Sequence, residues 1–364
     1  MIAGAPEGVD ALVLAELTEG GTARRILHVA RDDAALNRVA EALAFFAPGL
    51  EVLTFPAWDC LPYDRVSPNA EIVSRRIDTL TTLARTSSLE SSSPAASGIV
   101  VTTINALLQK VPPAATFRDA VFQVAVGEQL GREAFSRFVL SNGYRRAETV
   151  REPGEYALRG GIVDIFPPGT VEPVRLDLFG DEVERIRGFD PLSQRTTGTY
   201  DSIQLKAMSE LLLDEEAVQR FRMGYRELFG AVRESDPLYE AISAGRAHIG
   251  MEHWLPLFYE RLDTLLDYLP DAGVTFDHQA EEAIATRLET IREFYEARRS
   301  LVDADPATLY KPVPPASLFL DRAALDVALA ARAVGGFSPF KAPERASAVD
   351  AGGRTGRDFA EART

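Results

Sequence analysis

The sequence of 364 residues contains a single cysteine, Cys60, and few histidines. One cysteine excludes a disulfide framework within the chain. The histidines lie at positions 28, 248, 253 and 278, and no His/Cys pair has the spacing of a structural zinc site. We therefore expect neither a metal site nor a cofactor that cysteine ligates.

Long apolar runs and an excess of positive charge are also absent. No run of about 18 apolar residues and no signal-peptide pattern occurs, so we expect a cytoplasmic protein, monomeric and without a membrane partner. The formal net charge is −15. Because a polyanion is repelled by nucleic acids and anionic membranes, any contact with DNA has to be local.

Hydrophobic residues make up 46% of the chain, which is long enough for two or three cores. In residues 1–119, apolar runs of strand length alternate with helical patterns. Such alternation predicts a parallel sheet covered by helices, the α/β class. The predicted strands are Ile26–Ala30, Val52–Phe55 and Ile99–Thr102, and the predicted helices are Ala34–Phe46 and Glu71–Arg85.

Residues 155–190 are the most informative stretch. Gly161–Phe166 and Val174–Phe179 are rich in branched and aromatic residues and are bounded by Gly and Pro, as strands are. Gly180 and Asp181 form a two-residue connection suited to a hairpin into Glu182–Ile186. The stretch predicts a small antiparallel meander.

Alternation along the second of these strands places the aliphatic Val174, Leu176 and Leu178 on one face. Arg175 and Phe179 share the opposite face. An arginine beside an exposed aromatic residue is typical of the anchors of protein interfaces. Two structural explanations compete: Phe179 folds over the hairpin turn, or Arg175 and Arg159 pair with the acidic side chains of the hairpin, Asp177, Asp181 or Glu182.

The same residues carry a resemblance to a known family. They resemble the R-G-x-x-x-D-x-F-P strand and the R-L-[DE]-x-F-x-D-E hairpin of the second domain shared by UvrB and the bacterial transcription-repair coupling factors. In that family an arginine leading into the strand and the hairpin itself form the docking surface for UvrA. The resemblance implies that Arg159, Arg175 and Phe179 dock UvrA here. If all three point away from the core, their replacement by alanine should leave the melting temperature within a few degrees.

The N-terminal run AGAPEGVDA resembles a degenerate P-loop. A phosphate-binding loop needs glycines, a lysine and a Ser or Thr hydroxyl. Gly4 and Gly8 are present, but Val9 stands at the lysine position and Asp10 at the hydroxyl position, where a carboxylate would repel phosphate. A glycine-containing turn of no nucleotide-binding ancestry explains the run equally well.

Two further segments, residues 55–80 and residues 250–260, resemble the coupling factors. The strand ending at Asp277 stands where UvrB has the Asp-Glu pair of a helicase motif. Asp277 is present, but His278 replaces the glutamate that would activate water. In the first segment, Trp58 and Tyr63 stand where UvrB has a DNA-clamping hairpin, and we expect them to pack a loop against the core rather than stack on bases.

The resemblance covers about residues 10–330 and implies a degenerate P-loop-NTPase-like, UvrB-like α/β domain with an inserted α+β second domain. The expected divisions are residues 1–119 and 208–340 for the two parts of the α/β domain, 120–207 for the insert, and 341–364 for a disordered tail or linker. We expect the serine-rich residues 86–98 to form a loop.

The function that follows is recruitment of UvrA to stalled transcription, without ATPase activity and without a cofactor. An ATP-dependent DNA-handling enzyme like UvrB is the alternative. The family also implies that, in a longer protein, a C-terminal domain masks the docking surface and further domains contact RNA polymerase and DNA.

Overall fold

The computed structural model describes residues 1–20, 25–89, 98–232, 236–304, 310–342 and 348–353. Its strands are β1 (Ile2–Ala3), β2 (Arg25–Ala30), β3 (Glu51–Phe55), β4 (Gly98–Thr103), β5 (Val121–Ala125), β6 (Arg145–Arg146), β7 (Glu155–Arg159), β8 (Ile162–Ile165), β9 (Val174–Phe179), β10 (Glu182–Phe189), β11 (Thr196–Tyr200), β12 (Ser202–Lys206), β13 (Gly273–Phe276), β14 (Val334–Gly336) and β15 (Val349–Asp350).

The helices are α1 (Val9–Glu19), α2 (Asp33–Phe46), α3 (Ala70–Leu89), α4 (Ile104–Leu107), α5 (Ala114–Asp119), α6 (Arg132–Ser141), α7 (Glu215–Phe229), α8 (Pro237–Ser243), α9 (Ala280–Ala304), α10 (Pro315–Leu318) and α11 (Arg322–Ala330), with a 3₁₀ segment at Met251–Leu257. None of the helices described is both long and apolar enough to cross a bilayer.

The first sheet is parallel, with strand order β14-β13-β2-β4-β3. Leu14 of α1 and Leu36 of α2 pack on one face of this sheet, and Ile77 of α3 and Ile284 of α9 belong to the core on the other. Both faces are covered, which explains why β4 is apolar and buried along its whole length. The predicted α/β class is confirmed.

The second sheet has the order β11-β10-β9-β8-β7-β6 and is antiparallel apart from the β6–β7 pair. Strands β8, β9 and β10 form the predicted meander. One face of the sheet packs on Phe135 and Val139 of α6 and forms a separate core. The opposite face therefore carries the other half of each alternating strand.

The chain enters and leaves this second sheet through the antiparallel pair β5–β12, in which Val121 faces Lys206. Two contacts tie the region to α3: an ion pair between Lys206 and Asp78, and a hydrogen bond from the Gly169 N–H to Ser74 Oγ at 3.2 Å. The β5–β12 pair thus brings together the two ends of the segment 126–201, and the contacts with α3 hold this segment against the rest of the chain.

The structure agrees with one loop prediction and differs in part from another. Tyr63 is fully buried and the indole N–H of Trp58 donates to Glu210 Oε1 at 3.1 Å, so both aromatic residues pack against the protein as expected. The predicted serine-rich loop begins later than expected, since residues 86–89 belong to helix α3. Residues 90–97 lie outside the described residues.

Residues 348–353 depart from the predicted tail. Val349 and Asp350 form β15, which pairs in parallel with β1 through hydrogen bonds from Val349 N–H to Met1 O and from Ala351 N–H to Ala3 O. The free edge of β1 supplies backbone acceptors that this segment satisfies, so these six residues follow the N-terminus instead of leaving the domain.

Candidate functional site

The outward face of the second sheet brings together the residues predicted to dock a partner. Strand register aligns Arg159 of β7 with Ile162 of β8, and Ile162 with Asp177 of β9. Arg175, two residues from Asp177, lies on the same face, and so does Phe179. The three predicted docking residues therefore share one face, opposite the buried Val174 and Leu176.

Phe179 is the most exposed of them. Its side chain is 80% exposed at the end of β9, next to Gly180, whose φ of +64° allows the tight turn. No ring or cation in the described part of the chain stacks on it. Phe179 is thus an exposed aromatic side chain on the outward face of the sheet and not a core residue.

Arg175 is held more tightly than the sequence suggests. Its Nε and Nη2 donate to Asp164 Oδ1 and Oδ2 at 2.6 and 2.9 Å, a bidentate pair, and its guanidinium lies 4.7 Å from the centre of the Phe189 ring. The hydrogen bond to Asp164 raises the pKa of Arg175 above its ordinary value. The side chain is only 18% exposed.

Two of the three acidic side chains considered from the sequence, those of Asp177 and Asp181, are engaged elsewhere. Asp177 pairs with Arg187 at 2.7 Å, and Asp181 pairs with Arg132 at 2.5 Å. The alternative in which Arg175 pairs across the hairpin is therefore wrong in its partner, which is Asp164. Because Asp164 is buried, the expectation that Arg175→Ala leaves the melting temperature within a few degrees is corrected: removal of the arginine would take away both close donors of a buried carboxylate.

Arg159 is less exposed than Phe179 and more exposed than Arg175. It is 50% exposed, its Nη2 donates to the Glu148 carbonyl oxygen at 2.5 Å, and the same nitrogen lies 3.9 Å from Asp164 Oδ2. Two of the three predicted docking residues thus converge on Asp164. The sequence signal for Asp164 is the acidic position of the R-G-x-x-x-D-x-F-P motif. Its partner, Arg175, is identified only when the register of β8 and β9 is known.

In the N-terminal loop, the carboxylate of Asp10 binds backbone N–H groups of the same loop. Gly8 has φ of +89° and precedes α1, and Asp10, only 5% exposed, accepts the N–H groups of Gly8 and Ala11 on one oxygen, Oδ1, at 2.8 Å each. Arg38 Nη2 lies 3.6 Å from the second oxygen. Burial is the main cause that raises the pKa of Asp10, and the nearby Asp277 adds to it.

The residues at the end of β13 belong to the same neighbourhood. Asp277 accepts the His278 N–H on Oδ1 at 2.7 Å and the Arg31 N–H on Oδ2 at 3.5 Å. The ring of His278 lies edge-on to Phe340, with centres 5.5 Å apart. Beneath them His28 is buried, which lowers its pKa to about 4, and its Nδ1 lies 3.0 Å from Thr275 Oγ1.

Strand β15 lies directly over this loop. A Cβ added to Gly4, where φ is +64°, would lie 2.5 Å from Asp350 Oδ1, so a larger residue would be strained and would require the Asp350 side chain to move. Val9 also contacts the segment, since a Cβ at Gly353 would lie 3.0 Å from the Val9 side chain. The space above the loop is filled by the protein itself.

Across the described ranges, no group of three or more His, Cys, Asp or Glu side chains is arranged to hold a metal ion. Cys60 Sγ lies 3.9 Å from His253 Nε2, and burial raises the pKa of the thiol to about 12. A neutral thiol beside a neutral imidazole has no nucleophilic character at physiological pH.

Comparisons with known proteins agree with this geometry. Residues 122–211 match the family described as the UvrB interaction domain. The transcription-repair-coupling factor of Haemophilus influenzae is 34% identical over 294 residues, 80% of this chain and 25% of that protein. The factor of Escherichia coli K12 is 33% identical over 261 residues (71% and 22%), and that of Myxococcus xanthus 32% over 331 residues (85% and 26%).

An α/β domain that carries a UvrB interaction domain within its chain defines a UvrB-homologous module. The chain belongs to the transcription-repair-coupling-factor family and represents its N-terminal module. It spans about a quarter of the length of these relatives.

Proposed function

We propose that this chain recruits UvrA during transcription-coupled repair through the outward face of its second sheet. The observation that carries the proposal is that Arg159, Arg175 and Phe179 lie on one solvent-facing side of three adjacent strands. The match of residues 122–211 to the UvrB interaction domain supports the same assignment.

The chemistry of this face fits a partner with acidic groups around an apolar recess. Phe179 offers a large apolar side chain that gains free energy when it is buried, and Arg159 offers guanidinium donors that are half exposed. The whole chain carries a net charge of −15, so a cationic patch on it favours an acidic partner only locally.

The direct test is binding of this chain to purified UvrA, measured by biolayer interferometry at about 150 mM salt. We expect saturable binding that Phe179→Ala weakens. A matched control is Leu192→Ala, which removes another exposed apolar side chain from the same region, in the connection between β10 and β11. Absence of binding by the wild-type chain, or equal loss in both variants, would overturn the assignment.

We further propose that the N-terminal loop is a degenerate P-loop without ATPase activity. Support comes from Asp10, whose carboxylate takes the N–H groups of Gly8 and Ala11 that a phosphate would need, and from Val9 at the lysine position. The competing function, an ATP-dependent DNA-handling enzyme, requires groups that these positions lack.

The domain division proposed above, with residues 120–207 inserted between residues 1–119 and 208–340, is part of the same proposal. The β5–β12 pair supports it, because the two ends of the insert lie side by side. Masking by a C-terminal domain, and contacts to RNA polymerase and DNA through other domains, are proposals for the longer protein.

A further inference from the structure

Asp164 occupies an unusual position for a carboxylate. It lies on β8, between β7 and β9 in the interior of the second sheet, and it is 1% exposed. A buried carboxylate is costly unless cations and hydrogen bonds compensate it. The side chains that compensate Asp164 are Arg175 and Arg159, both on the proposed docking face.

The contact with Arg175 fixes the orientation of its guanidinium. Two parallel N–H···O bonds to Asp164 define the plane of the group, and the ring of Phe189 lies against it at 4.7 Å. A guanidinium bonded along one edge and packed on a ring retains little rotational freedom. The remaining nitrogen, Nη1, donates to no acceptor in the part of the chain that the structure describes.

We propose that Asp164 is a positioning residue of the docking surface, which orients Arg175, and with it Arg159, toward an acidic group on the partner. The inference rests on the proposed function above. Its physical content is preorganisation: the side-chain entropy of Arg175 is lost on folding, so binding does not have to order it. Asp164 itself, being buried, touches no partner.

Asp164→Asn is the sharpest variant. Asparagine keeps the size of aspartate, but its amide nitrogen is a donor and would face the donor Nη2 of Arg175, which breaks the bidentate pair. We expect UvrA affinity to fall by about tenfold while Phe179 remains exposed and folded. The comparison is with the same substitution in an Arg175→Ala background.

In that background, Asp164→Asn should cause much less than its tenfold loss of affinity, because Arg175 is gone and only the weaker contact with Arg159 can still be disturbed. All four proteins are measured at a temperature at which circular dichroism shows each to be folded. Losses that multiply in the double variant, or wild-type affinity in Asp164→Asn, would overturn the positioning role. Failure of the wild-type chain to bind UvrA would instead overturn the proposed function.

A second readout needs no UvrA. In ¹⁵N-labelled protein, the Nε–H of Arg175 should give a side-chain signal that exchanges slowly with water, assigned by its loss in Arg175→Lys. That signal should disappear in Asp164→Ala, which removes both acceptor oxygens, while backbone signals of the sheet persist. A slowly exchanging Arg175 Nε–H in Asp164→Ala would show that Asp164 does not hold the guanidinium.

Discussion

Two buried aspartates, Asp10 and Asp164, bind different kinds of hydrogen-bond donor. Asp10 binds the backbone N–H groups of Gly8 and Ala11 in its own loop, so these two donors are not available to a ligand. Asp164 is as deeply buried, but it binds side chains of the outward sheet face, and those arginines still reach solvent. The difference between the two carboxylates lies in whether their donors are backbone or side-chain groups.

The largest expected effect concerns stability. Arg175→Ala removes both close donors of the buried Asp164 and leaves it Arg159 at 3.9 Å, and we expect a loss of about 3 kcal/mol in the free energy of unfolding, measured by urea denaturation. The double variant Arg175→Ala/Asp164→Ala should recover much of this loss, since both partners are then absent. A single variant as stable as the wild type would show that the carboxylate is solvated after all.

Phe179→Ala should affect binding alone. Removing an exposed aromatic anchor is expected to cost about 2 kcal/mol of UvrA binding, roughly thirtyfold in Kd, with an unchanged melting temperature. The contrast is with the fully buried Leu176, one of the aliphatic residues on the inward face, whose replacement by alanine should cost about 2 to 5 kcal/mol of stability. If Phe179→Ala lowers the melting temperature like Leu176→Ala, the outward assignment of Phe179 fails.

Asp10→Asn tests the inward carboxylate with a smaller effect. The amide oxygen can still accept the Gly8 and Ala11 N–H groups, so the loop is retained. Burial raises the pKa of Asp10, so protonated Asp10 favours the fold below its ordinary pKa of 3.8, and this contribution is lost as pH rises through the raised value. Asp10→Asn should therefore become more stable than wild type as pH rises above 3.8, with chemical denaturation at several pH values as the measurement.

The smallest expected effect is none at all. Calorimetric titration of the wild-type chain with Mg-ATP should give no saturable heat, because Asp10 occupies the loop donors and a second carboxylate, Asp277, lies nearby. Asp277→Ala serves as the matched control. Micromolar binding that Asp277→Ala removes would place a working nucleotide site in this loop.

The faces of the docking strand could be predicted from sequence because alternation needs only the strand itself. Val174 and Leu176 point inward and Phe179 outward, as the period of two requires. The partner of Arg175 could not be predicted from sequence, because it depends on how β8 aligns with β9 across the loop that joins them. Composition does not fix that register, and a shift of one residue would have taken Asp164 away from Arg175.

The loop and the C-terminal segment show the same limit. Sequence indicated that Asp10 would oppose phosphate, but not that its carboxylate would itself take the loop donors, since this depends on the backbone turn at Gly8. Val349–Asp350 has no alternating pattern of its own, and its strand conformation comes from the open edge of β1. Both features arise from tertiary contacts that local propensity does not encode.

The pairing of Val121 with Lys206 has a consequence for how this fold can change. The segment 126–201 leaves and rejoins the rest of the chain as a hairpin loop would, because the strands at its two ends, β5 and β12, are hydrogen-bonded neighbours. The entropic cost of a longer excursion grows only with the logarithm of its length, so a region of this size can be gained, exchanged or lost with little strain on the rest of the chain.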